Sequence, residues 1–135
     1  MRAHMEAVKA LLAPLGRDVW FIDVPEGRPI AYPYIILWSS TGRMISETLC
    51  GTQSDLDDLL GVTCVGVSPE AVWSVSSLVR AALIDKHPQV DGRYVAELRL
   101  YDSQNVQADG DVTLPNSNRH PYFGVDLYSL RSTPA

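Results

Sequence analysis

The chain has 135 residues, 46% hydrophobic and 20% charged, a soluble globular composition long enough to bury one core without disulfide or metal staples. Eleven Lys and Arg against sixteen Asp and Glu leave a net charge of −5, which argues against sequence-independent binding of DNA or RNA phosphates. No run approaches the roughly 18 apolar residues of a membrane-spanning helix. Glu6 and Lys9 interrupt any signal-peptide core, and Cys50 and Cys64 are too few for a disulfide framework or a four-ligand zinc site, so synthesis in a reducing cytoplasm is expected.

Met5, Val8, Leu11, Leu12 and Leu15 recur at helical spacing and predict a short amphipathic helix ended by Pro14 and Gly16. Val19–Val24 is rich in β-branched and aromatic residues and predicts a strand, stopped at Pro25-Glu26-Gly27. Tyr34–Trp38, introduced by Pro33, predicts a second, and Met44–Leu49 a third. Gly51–Gly61 is polar and acidic and reads as a loop; Val62–Val67 reads as a fourth strand.

Ser68 is a good N-cap, with Pro69 at the first helical position and Glu70 in the first turn. The stripe Val72, Val75, Leu78, Val79, Ala82, Leu83 then predicts a helix to about Ile84. In Arg93–Tyr101, Ala96, Leu98 and Leu100 alternate with polar neighbours, the pattern of a strand with one wet face. Residues 102–121 are a polar stretch with little periodicity, read as a long loop or arm. In the last strand, Tyr122–Leu130, Phe123, Val125 and Leu127 alternate with Gly124, Asp126 and Tyr128. The order α-β-β-β-β-α-β-β predicts an α+β domain over residues 1–135, a mostly antiparallel sheet with two helices on one face.

No constellation carries chemistry, and no residue is expected in a catalytic, cofactor-binding or metal-ligating role. His4, His87 and His120 lie at no triad or metal spacing and are expected in exposed or helix-end roles; Cys50 and Cys64 read as small buried hydrophobes. Asp55, Asp57 and Asp58 begin like a calcium loop, but Leu60 holds its glycine position and Gly66 its closing glutamate. Asn105, Gln107, Asp109 and Gly110 fail the same test at Asn116, and Ser40-Thr41-Gly42-Arg43 has too few glycines and no Lys for a phosphate loop. Trp73 falls off the helix stripe, and Tyr101, Tyr122 and Tyr128 fall on strand faces read as solvent-side; all four are candidate interface residues.

The run Tyr32-Pro33-Tyr34-Ile35-Ile36-Leu37-Trp38, then Val62–Val67, Ser68-Pro69-Glu70-Ala71-Val72-Trp73, Val79–Leu83 and finally Tyr122–Arg131 resembles tail terminator proteins of long-tailed bacteriophages, especially those of actinobacteria. The resemblance spans the first helix to the last strand, and its motifs are structural. It implies a virion protein forming a hexameric ring on the head-proximal end of the tail tube, partnered by tube protein and by head-completion or connector proteins, without enzymatic activity or cofactor. Another neck ring, or a small cytoplasmic α+β enzyme or ligand-binding domain, are the alternatives.

The acidity is local. Between Arg43 and Arg80 there is no Lys or Arg, and Glu47, Asp55, Asp57, Asp58 and Glu70 together equal the net charge. On the ring reading, Asp55, Asp57 and Asp58 are expected to face the channel or its rim, where carboxylates repel passing DNA.

Overall fold

A computed structural model of the chain describes residues 1–49 and 51–135; Cys50 lies outside the described residues. The elements are α1 (Arg2–Leu12, followed by a 3-10 turn at Ala13–Leu15), β1 (Val19–Phe21), β2 (Tyr34–Trp38), β3 (Met44–Ile45), β4 (Asp55–Gly66), α2 (Pro69–Leu83), β5 (Arg93–Val95), β6 (Arg99–Ser103), β7 (Gln107–Ala108) and β8 (Tyr122–Pro134). The fold is α+β. The sheet runs β1-β2-β4-β8-β5, with β3 also on β4, and β6 and β7 also on β8. Among the described residues, only β1 and β2 pair in parallel; every other pairing is antiparallel.

The long ladder between β4 and β8, from Leu56 opposite Ser132 to Gly66 opposite Tyr122, is the axis of the sheet. Side chains alternate across a strand, so the even-numbered residues of β4 and β8 share one face. That face carries Leu56, Leu60, Val62, Cys64, Tyr128 and Leu130, packed in one cluster with Val8 and Leu12 of α1 and Val72, Val75, Val79 and Leu83 of α2. Burying each of these aliphatic side chains stabilises the fold by about 1.5–3 kcal/mol. Both helices therefore cover the same side of the sheet, and among the described residues no helix covers the other. As expected, Ser68 caps α2: its hydroxyl accepts from the Ala71 N–H at 3.2 Å.

Several expectations are corrected. The stretch read as a loop at 51–61 becomes strand from Asp55 onward, because Leu56 and Leu60 supply buried positions and each acidic side chain between finds a partner. Strand propensity disfavours Asp, and tertiary pairing overrides it.

In β8 the buried face is Gly124, Asp126, Tyr128 and Leu130, the reverse of the sequence reading, because that face meets α2 and Asp126 arrives already paired. The predicted strand 93–101 is broken at residues 96–98, which turns Leu98 into the core and leaves Leu100 at the surface. Leu78, placed on the buried stripe of α2, is 46% exposed.

The stretch 102–121 is not one loop. Ser103 pairs opposite Asp126, Gln107 opposite Phe123 and Ala108 opposite Tyr122, so the segment is the outgoing limb of a hairpin with β8. Its tip is confined to 109–121, closed by Asp109 N–H to Pro121 O at 2.8 Å and Leu114 N–H to Arg119 O at 2.8 Å.

Candidate functional site

Two grooves flank the β8 hairpin. The first, about 500 Å³, lies between α2 and the hairpin and is walled by Trp73, Ser76, Arg80, Ser103, Asn105 and Asp126. Its centre is an ion pair missed at the sequence level. Arg80 donates from Nε to Asp126 Oδ2 at 2.8 Å and from Nη2 to Oδ1 at 3.0 Å, while the Ser103 hydroxyl donates to Oδ1 at 2.7 Å.

Asp126 is 7% exposed, so three donors replace the water it gives up. The hydrogen bond to Asp126 raises the Arg80 pKa further above its usual value. The available signal was an acidic residue amid an otherwise apolar strand, with one Arg on the facing helix. Nearby, burial pushes the Cys64 thiol up to about 11, so it is a protonated core residue and a poor nucleophile. Burial likewise raises the Tyr128 phenol.

The second groove, about 540 Å³, lies on the uncovered side of the sheet and is lined by Asp57, Glu97, Arg99, Tyr101 and Arg131 among others. Arg131 Nε reaches Asp57 Oδ1 at 3.2 Å, and Arg99 bridges Asp85 and Glu97. Asp57, Glu97, Arg99 and Arg131 are held there in ion pairs, an arrangement that ties the strands together.

The three acidic candidates do not act as one cluster. Asp55 and Asp57 share the uncovered face of β4; Asp58 points to the other. Asp55 accepts from the Glu47 N–H at 3.1 Å and Asp57 takes Arg131. Asp58 accepts from the Ser40 hydroxyl and from the Arg43 N–H at 2.9 Å, fixing the 39–43 turn. Burial alone would raise the Asp58 pKa, but those bonds, the Leu59 N–H and the Arg43 charge hold it below the usual value. Among the described residues no group of three or more His, Cys, Asp or Glu is placed to hold a metal, and no helix is long and apolar enough to cross a membrane.

Of the aromatic candidates, Trp73 is 58% and Tyr101 67% exposed, and Tyr122 is half-buried. Tyr128 is a correction: it is fully buried beneath α2, because the inward face of β8 is the one opposite to that expected. His4, expected at the surface, is 5% exposed, with Nε2 at 2.8 Å from the Ser132 hydroxyl.

No protein-family model and no curated protein matches the chain. Solved structures do. A chain from a structure described as the virion of a native gene transfer agent particle superposes with a TM-score of 0.59 at 13% identity, covering 94% of this chain and 90% of that one. A second solved chain gives a TM-score of 0.54 at 16% identity, covering 96% of this chain and 92% of its own length. At these identities the likeness is one of fold.

Proposed function

We propose that the chain is a structural virion protein, a tail terminator whose subunits, each spanning residues 1–135, close into a hexameric ring at the head-proximal end of a phage tail tube. There it ends tube polymerisation and joins the tail to the head, with tube protein on one side and head-completion or connector proteins on the other. The observation that carries this reading is the near full-length shared fold with a chain of a gene transfer agent virion particle. The role is mechanical: both grooves hold ion pairs already satisfied within the chain, so the reading has no catalytic or cofactor residue.

Trp73, Tyr101 and Tyr122 are the proposed contact aromatics, and the hairpin tip 109–121 is the arm that reaches a neighbour. Asp55 and Asp57, beside the ionic groove, are proposed to border the channel, repelling DNA phosphate at short range; Asp58 serves instead as the support of the 39–43 turn. The site of action is the virion neck.

Native mass measurement of the purified protein, together with antibody labelling of particles, tests this. A hexamer and label at the tail–head junction are expected. A monomer absent from particles would overturn the reading in favour of a free-standing α+β domain, and label elsewhere in the neck would assign it to a different ring.

A further inference from the structure

Two surfaces of this chain lack the covering that their residues call for, and they lie on opposite sides of it. The first is the outward side of α2. Glu70, Trp73, Ser74, Ser77, Leu78 and Ala81 recur at the spacing of one helix face, and all six are exposed. A helix facing water is normally charged on that side. Here Glu70 suits the helix N-terminus, and no charge follows it on this face; Trp73 is 58% and Leu78 46% exposed instead.

The second surface is the side of the sheet that neither helix covers. Ile36 and Trp38 of β2, Leu59 and Thr63 of β4, and Val125 and Leu127 of β8 stand there, half-buried or exposed. None of them belongs to the core cluster beneath the helices.

The total surface points the same way. The chain exposes 8220 Å², where a compact monomer of this mass exposes about 7,000 Å². The excess, roughly 1,200 Å², exceeds the ~800 Å² each partner gives to a standard interface. Contacts on two sides of each subunit would take up an excess of that size.

We propose that the outward face of α2 in one copy packs on the open sheet face of the next, head to tail. This rests on the ring reading above and names the surfaces that build it. A helix face carrying Trp73, Leu78 and Ala81 against a sheet face carrying Ile36, Trp38, Leu59, Val125 and Leu127 is the layer packing by which both elements are normally buried. Because the two faces point away from each other within one subunit, they meet only between copies. A patch that meets a different patch propagates and closes into a ring where the rotation fits. The charges of the two faces stay at the wet rim of the contact: Glu70 stands at the N-terminal end of α2, and the ion pair of Asp57 and Arg131 lies beyond the apolar part of the sheet.

Cysteine cross-linking tests the contact. Ser77→Cys and Thr63→Cys are made in separate copies, co-expressed, and oxidised. A cross-linked dimer several-fold above background is expected only when both variants are present. The background is set by each variant alone and by the unsubstituted protein with its own Cys50 and Cys64. Cross-linking of either variant alone at the level of the pair would mean that like faces meet, and would overturn the proposal. An assembled ring without the mixed cross-link would overturn this contact while leaving the ring reading standing; a monomer at every concentration would overturn both. As a second measurement, Leu78→Glu, with unchanged far-UV circular dichroism, is expected to lose the oligomer; an unchanged mass would contradict the proposal.

Discussion

The indole of Trp38 lies over Gly61, its register partner on the neighbouring strand, so closely that a Cβ at Gly61 would fall 2.2 Å from indole Cε2. The ring is held in that position by its Nε1–H, which donates to Thr63 Oγ1 at 3.0 Å. Glycine at 61 is therefore required by a close approach across strands, and the ring lies on the open sheet face, 37% exposed.

Gly61→Ala is expected to drive the indole off the sheet and break its bond to Thr63, costing about 1–3 kcal/mol with a red-shifted tryptophan emission. Gly110→Ala, where nothing stands within 4 Å, is the control; it should change stability by less than ~0.5 kcal/mol. Equal denaturation midpoints for the two variants would contradict the packing described.

Arg80→Met leaves Asp126 7% exposed and short of its main partner. Loss of a partner from a fully buried pair costs about 3–5 kcal/mol. Because the Arg80 side chain is 39% exposed, water screens part of that loss, and about 2–3 kcal/mol is expected. Replacing both, Arg80→Met with Asp126→Leu, should recover most of it, since no charge is then stranded. Urea titration of the single and double variants gives the coupling.

His4 makes the fold acid-sensitive. Burial first, then the N-terminal charge and Arg93, lower its pKa from 6.5. The unfolded chain therefore takes up this proton more readily than the folded one. The stabilisation is complete above about pH 6.5 and is lost as pH falls below it, at up to ~1.4 kcal/mol per pH unit. Thermal unfolding of the native chain against His4→Gln from pH 7.5 to 5 reads this directly: the His4-dependent fall should vanish in the variant.

Asp58 acts in the same direction, in a more acidic window. Its folded pKa lies below 3.8, so its contribution is present above that value and lost as pH falls through it. Asp58→Ala should cost about 1 kcal/mol at pH 7 and progressively less below pH ~4. The 39–43 turn should exchange its amide hydrogens faster in the variant. A difference that stays constant with pH would assign the effect to packing and not to the carboxylate.

The secondary structure was legible wherever a local signal sufficed. Ser68-Pro69-Glu70 set the start of α2, the spacing of Val72, Val75, Val79 and Leu83 set its buried side, and alternating runs set the α+β class. Which face of a strand turns inward was not legible where both faces are apolar. In β8, Phe123, Val125 and Leu127 compete with Tyr128 and Leu130, and α2 settles the matter by burying the second set. The acidic start of β4 was unreadable as strand for a related reason: its partners, Glu47, Ser40, Arg43 and Arg131, come from other segments.

Composition and periodicity, local properties of the chain, were enough for the net charge, the two helices and the exposed Trp73. Tertiary structure alone buried Tyr128 and His4, paired Arg80 with Asp126, split the acidic residues between two faces and folded 102–121 back on β8. Each of these depends on contacts between residues distant in the chain, whose energy no local pattern records.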